Sequence, residues 1–382
     1  MRAKRTVIYY LCVLAGLIFA FFTNDFNLIN IQKTAIVTAI AIDKEQDEFT
    51  LTAIVANPAS QGGQGGGESG QSSQGGQGAN GFATVAGKGG TVAEALENIN
   101  AKTGWYPKLI FCRLLLLGEG ICKGNVFDGL DYFLQNEYAA DDCLLCATDG
   151  KASEFLSASP PLKTAVSEAI EKVLSDQPKR VGAVLTNTLR TFAISYFSAG
   201  NSGYMPLLKK AKEEGGEVFS ASETALFING KQVGKLDKAS TFALACVKNP
   251  LRLASYTVEG MGQSNTLVVK NNRRKQKFSV NGNQPRMEIT LTVFADLANR
   301  SQSQSLDGLS GRAQDGAIYT VAAERLQQQI EEAFAYCKSI EFDAFDAIGK
   351  LQKYENEHFD RLKDSLIKRL ELSVSVDFKP IR

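Results

Sequence analysis

Apolar and polar positions follow two different periods along this chain, and the places where the period changes divide it. Residues 34–42 and 49–56 are β-branched-rich runs separated by the polar stretch 43–48, the pattern of a hairpin. Asn57-Pro58 ends the second run, and residues 59–81 are almost entirely Gly, Gln and Ser, a composition with nothing to bury and predicted to be a disordered loop. Its Gly-Gly-Gln repeats lack the Gly-Lys-Ser/Thr ending of a phosphate-binding loop. A strand resumes at 82–86. Thr91 followed by Glu94 has capping-box spacing, and Val92, Ala95, Leu96 and Ile99 then recur on one helical face to about residue 101. The nearly continuous apolar run 109–117 reads as a strand buried on both faces. Helices are predicted over 125–134, 152–156, 164–174 and 185–197, with a further strand over 142–148.

Beyond residue 218 strands crowd together. Residues 223–228 and 232–236 flank Asn229-Gly230, the strongest short hairpin signal. Strands are predicted over 251–258, 266–270, 277–280 and 288–295. Residues 316–336 are amphipathic, with Val321, Leu326, Ile330, Ala333 and Phe334 to one side. Two more helices, 341–351 and 357–370, precede an alternating strand over 372–378. The first half alternates strand and helix, and the second places strands before helices. The predicted fold class is therefore α/β and α+β, a mixed multi-domain architecture in which each domain is a β-sheet with packed helices, after an N-terminal transmembrane anchor.

The anchor is read from the first residues. Arg2, Lys4 and Arg5 precede an uncharged apolar run from Thr6 through Leu11, Leu14 and Leu17 to Phe22. A helix of that length spans ~25 Å, at the short end for a bilayer crossing. Cations before the run and none soon after it put the N-terminus in the cytoplasm and the rest outside, a single-pass arrangement. The end of the run, Ala20-Phe21-Phe22-Thr23, lacks the small-residue pattern of a cleaved signal, and no cysteine follows it to carry a lipid. The predicted regions are residues 1–25 as basic tip and anchor, 26–200 as an α/β domain containing the 59–81 loop, and 216–382 as an α+β region of one or two subdomains.

Net charge is +1, so no bulk field draws nucleic acid or an acidic substrate. The seven cysteines, Cys12, Cys112, Cys122, Cys143, Cys146, Cys246 and Cys337, are odd in number and mostly embedded in apolar runs, which favours buried free thiols over a disulfide framework. Cys143-Leu-Leu-Cys146 has metal-like spacing, but in a strand residues three apart face opposite ways. The one histidine, His358, stands in a charged helical stretch, so any histidine-based triad or zinc site would rest on it alone. Asp141-Asp142 reads as a surface pair at a strand start. Asp343 and Asp346 read as an i, i+3 pair on a helix. The run 270–275, Lys-Asn-Asn-Arg-Arg-Lys, reads as a basic turn between two strands that could meet anionic headgroups or an acidic partner. No catalytic, cofactor-binding or metal residues are singled out, and the expectation is a protein that is not an enzyme.

Several motifs in order carry a resemblance. Ala35-Ile36-Val37-Thr38-Ala39-Ile40-Ala41-Ile42-Asp43, Asn57-Pro58, Gly90-Thr91-Val92-Ala93-Glu94-Ala95-Leu96 and the apolar run 114–117 into Gly118-Glu119 occupy the first half. Thr224-Ala225-Leu226-Phe227, Gly234-Lys235-Leu236, Asp346-Ala347-Ile348-Gly349 and the final alternating strand occupy the second. Together they resemble the Ger(x)C family of spore germination proteins over nearly the whole chain after the apolar run. Asp25 and Phe26 stand where the family has its lipid-bearing cysteine and a tryptophan, so the apolar helix takes over anchoring. The resemblance implies the C subunit of a spore germinant receptor, on the outer face of the spore inner membrane, with no cofactor and with two integral membrane subunits as partners. The other reading is an anchored solute-binding or envelope-scaffolding protein outside germination.

Overall fold

The computed structural model describes residues 10–16, 34–56, 77–78, 82–104, 106–161, 165–176, 184–248, 251, 253–260, 263–300 and 310–381. The first sheet grows from β1 (Thr34–Glu45), which pairs antiparallel with β2 (Glu48–Ala56) across a turn at Gln46 and Asp47. β4 (Phe82–Gly89) follows β2, with the two-residue β3 (Gln77–Gly78) outside it. On its other side β1 pairs in parallel with β5 (Tyr106–Lys108) and β6 (Leu114–Leu117). Parallel pairing continues through β7 (Leu144–Thr148) to β9 (Ser202–Glu213), and β8 (Asn187–Thr188) adds a short antiparallel bridge to β7. The antiparallel strands β10 (Gly216–Ile228) and β11 (Lys231–Leu236) complete the order β11-β10-β9-β7-β6-β1-β2-β4-β3.

Both faces of the parallel centre are covered. Ile40, Ile42, Leu115, Leu117 and Leu145 face α1 (Val92–Thr103), α2 (Glu119–Lys123), α3 (Phe127–Gln135) and α6 (Leu189–Phe197). Ala39, Ala41, Leu114, Leu116 and Cys146 face α4 (Ala152–Leu156) and α5 (Val166–Ser175). Strands buried on both sides carry continuous apolar runs, which is why β6 reads Leu-Leu-Leu-Leu. In α1 the residues buried are the predicted Val92, Ala95, Leu96 and Ile99. The Thr91 hydroxyl accepts from Glu94 N at 3.2 Å, and the Glu94 carboxylate reaches back to Gly90 N at 2.8 Å.

The second sheet is β12 (Ala254–Gly260), β13 (Gln263–Asn281), β14 (Gln284–Arg300) and β15 (Glu371–Pro380) in that order, with β14 and β15 parallel. Its inner face packs on α7 (Lys238–Lys248), on α8 (Ser310–Ser339), and on the short helices α9 (Ala347–Tyr354), α10 (Phe359–Leu362) and α11 (Leu366–Arg369). In α8 the buried stripe is Ile318, Ala322, Leu326, Ile330, Ala333 and Cys337. Asn229 (φ 50°) and Gly230 (φ 75°) make the expected hairpin turn, with positive φ at both central positions.

Several expectations are corrected. The run 109–117 is not one strand. Six steps of chain from Lys108 to Leu114 oppose three of β1 from Ile36 to Ala39, so residues Leu109–Phe111 are ejected as a 3-10 turn. Ile110 and Phe111 are exposed there. The basic run 270–275 is not a turn but the middle of β13, which merges the two strands expected over 266–270 and 277–280; the chain reverses at Gly282 and Asn283. Residues 341–346 are not helical, and 357–370 is broken into a 3-10 turn, α10 and α11. β9 pairs with β7 at Leu207 and Leu208 and draws β10 and β11 into the first sheet, which therefore runs on to Leu236.

Of the predicted anchor residues, Leu11 and Leu14 lie in a helical stretch over 10–16, both exposed; Thr6, Leu17 and Phe22 lie outside the described residues. No helix among the described residues is long and apolar enough to cross a membrane. Of the 59–81 loop only Gln77–Gly78 is described.

Candidate functional site

In an open parallel sheet the natural ligand crevice lies at the carboxyl ends of the strands. Here that place is filled by the protein itself. Asp43 ends the apolar part of β1 and is buried, its carboxylate accepting from Ala152 N at 2.7 Å and Ser153 N at 2.9 Å at the start of α4. These N–H groups have no partner within the helix, and the carboxylate satisfies them from another strand. Gly118 follows β6 directly over Asp43, where a Cβ would stand 2.1 Å from its Oδ1. Thr148 at the end of β7 donates its hydroxyl to Leu117 O at 3.2 Å. Ion pairs Lys151–Glu45 at 2.5 Å and Lys44–Asp128 at 2.8 Å cover the rim. Asp43 and Gly118-Glu119 were singled out in the sequence as motif; their joint role becomes visible only when β1, β6 and α4 meet.

A second joint binds the two sheets. Tyr336 of α8 accepts Lys235 N of β11 at 3.3 Å, over Gly234, where a Cβ would lie 2.5 Å from the tyrosine oxygen. Thr241 of α7 and Thr224 of β10, both fully buried, meet at 3.2 Å. Lys248 Nζ at the end of α7 lies 4.7 Å from the ring centroid of Tyr204 on β9. Burial pulls the Lys248 amine down to about 8, opposed first by the nearby Asp343 carboxylate. Burial likewise pushes Asp343 up, offset by the backbone N–H groups of Ile348 and Ala347, from which it accepts at 2.8 Å each. Asp343 is thus the cap of α9, and Asp346 sits at φ 55° outside that helix, so the expected i, i+3 carboxylate pair is not formed.

The other candidates also resolve into structural roles. Cys143 and Cys146 lie in the cores on opposite faces of the first sheet, as the strand period required. Cys112, Cys122, Cys143, Cys146, Cys246 and Cys337 are free and buried; Cys12 is free and exposed. Burial pushes the buried thiols up, Cys112 and Cys337 to about 12, the opposite of what a nucleophile or metal ligand needs. Asp141 holds Arg190 through two bonds, at 2.7 and 2.6 Å. Glu355, Glu357 and His358 are the one cluster of three or more metal-ligating side chains among the described residues. Arg361 Nη2 lies 3.0 Å from His358 Nδ1 and can only donate, so Nδ1 accepts; Nε2 then carries the proton, 3.3 Å from Glu357. An open groove of about 520 Å³ between α8 and β15 is lined by Arg286, Phe334, Lys338 and Glu371, whose polar ends are engaged within the protein. Sequence reasoning missed two elements here: α7, and Asn272, which is buried and joins β13 to the chain on either side of residue 249. Its Oδ1 accepts from Leu251 N at 2.7 Å and its Nδ2 donates to Cys246 O at 2.6 Å.

Comparison with known proteins agrees with this fold. Residues 27–210 match the family profile described as spore germination protein N-terminal domain, and residues 222–382 match that described as spore germination B3/GerAC like, C-terminal. Spore germination protein GerQC of Bacillus cereus is 21% identical over 222 residues, which cover 57% of this chain and 60% of that protein. The crystal structure of the GerBC protein superposes with a TM-score of 0.53 at 16% identity, covering 90% of this chain and 97% of that one, a likeness of fold. The boundary between the two profiles falls in the β9–β10 hairpin, whereas the sheets divide after Leu236. Both halves of the chain match, and the chain belongs to the Ger(x)C family of spore germination proteins.

Proposed function

We propose that the chain is the non-catalytic C subunit of a spore germinant receptor, held by residues 6–22 at the outer face of the spore inner membrane and acting through contacts with the receptor's integral membrane subunits. The family match over both halves carries this reading. The geometry supports it: the strand-end crevice is occupied by Asp43, the buried thiols are held protonated, and the His358 ring is committed to Arg361 and Glu357. Exposed apolar side chains, Ile194 and Phe197 on α6 and Ile110 and Phe111 on the 3-10 turn, offer surface for contact. A short tether to the membrane raises the local concentration of neighbouring membrane proteins, so that modest surfaces suffice for stable assembly.

The test is complementation. Spores lacking the chain should lose the response to at least one nutrient germinant, regain it with the wild-type chain, and fail to regain it with a chain cut after Leu236, where the sheets divide. Unchanged germination of the deletion spores with every nutrient tried would favour the solute-binding or scaffolding reading. Mass spectrometry of the N-terminus should find residues 6–22 retained without lipid; a mature terminus near Asp25 would contradict the anchor.

A further inference from the structure

β13 is 19 residues long, and β14 pairs with it almost end to end. β12 pairs only with Gln263–Val269 on its other side. From Asn271 to Asn281 that edge has no strand partner among the described residues. In an antiparallel ladder half of the backbone N–H and C=O groups point to each side, so this edge presents a row of strand-pairing groups. The side chains along it are strongly basic. No Asp or Glu stands between Glu259 and Glu288, and Arg273, Arg274, Lys275 and Lys277 are exposed. Lys270 is paired with Asp296 at 2.8 Å, but none of the four exposed cations forms an ion pair among the described residues. The inner face is fixed: Arg274 donates to Val247 O at 2.9 Å, and Phe278 and Val280 pack on the core. The edge and outer face are what remain available, with Arg273 lying over the Phe294 ring at 5.2 Å and Lys275 and Lys277 beside it.

We infer that this edge receives an extended acidic segment of a partner protein as an added strand. Two features favour a strand over a lipid surface. The open ladder offers main-chain donors and acceptors at the spacing of another strand, and the cations Arg273, Lys275 and Lys277 fall on every second residue, ~6.6 Å apart on one face. The complementary segment carries Asp or Glu at alternate positions, with small or apolar residues between them. A second copy of β13 paired about Lys275 would bring the same cations opposite one another, which favours an acidic segment over a second copy. The inference goes beyond the receptor reading and stands or falls apart from it.

The test uses the full chain in phosphatidylcholine nanodiscs and a fluorescein-labelled ten-residue peptide in which Glu alternates with Val and Thr. Saturable anisotropy is expected at low salt. R273E/K275E/K277E should weaken it at least tenfold with an unchanged melting curve, and N-methylation of alternate peptide residues should weaken it at least tenfold with the charge intact. R273Q/K275Q/K277Q, expected to weaken binding in the same direction, carries the test if the charge-reversed chain does not fold. Equal binding of the N-methylated peptide would overturn the added-strand geometry. Absence of saturable binding would overturn the inference as a whole. So would a substituted chain that binds peptide normally but loses binding to phosphatidylglycerol vesicles, which would mark a lipid surface instead.

Discussion

The two sheets solve the same problem in different ways. The parallel centre of the first, β1, β6, β7 and β9, is sandwiched between helices, and its strands are apolar on both faces. The second shows its helices one face only: along β15, Leu372, Val374, Val376 and Phe378 turn inward, while Glu371, Ser373, Ser375 and Asp377 are exposed. The first sheet is therefore covered on both faces and fills its own strand-end crevice, whereas the second leaves an outer face and a basic edge to solvent.

Substitutions should separate the doubly covered strands of the first sheet from the solvent face of the second. Leu116→Ala, at a fully buried position of β6, should cost about 3–5 kcal/mol in chemical unfolding. Thr290→Ala, on the exposed face of β14, should stay within about 0.5 kcal/mol. Equal costs would erase the distinction. Asp43→Ala should follow at about 2–3 kcal/mol, since two backbone donors of α4 lose a buried carboxylate. A neutral result by thermal melting would show that water replaces the side chain and that the crevice is open.

Lys248→Met sharpens the account at the joint between the sheets. The amine is held at about 8 by burial, below its ordinary 10.5, so the folded state disfavours the charge that the unfolded chain keeps. This cost is fully present below pH 8 and disappears as pH rises through 10.5. The methionine variant should therefore be more stable than wild type by about 1–2 kcal/mol at pH 7, with the gap closing toward pH 10.5. Both proteins should also lose stability above about pH 9, because the unfolded thiols ionise there while the buried ones stay protonated. A pH-independent gap would mean that the amine is solvated. His358→Ala is the smallest effect expected: its ring contacts are at the surface, and both stability and germination should be unchanged.

Much of this fold is legible in the chain because period and burial coincide. The α1 stripe, the Asn229-Gly230 hairpin and the opposite facing of Cys143 and Cys146 each follow from local spacing. What escaped was set by distant partners. The turn at Leu109–Phe111 exists because β5 and β6 share β1 as neighbour. The strand through Arg273–Lys275 hides its polar run because β14 supplies the ladder and the α7 end takes up Asn272 and Arg274. α7 has no polar face to give it a helical period, since Thr241 through Val247 are all buried. Asp43 and Asp343 look like surface carboxylates in the sequence, and only the helices they cap from outside reveal their roles.

The most direct test of the central claim, that this fold is a scaffold whose surfaces serve receptor assembly, is affinity purification of the tagged full chain from spore inner membrane in mild detergent, followed by mass spectrometry. The account predicts recovery of two integral membrane subunits, retained with Thr290→Ala and His358→Ala and lost when the chain is cut after Leu236. Purification of the wild-type chain free of integral membrane proteins, from spores that germinate normally, would contradict it.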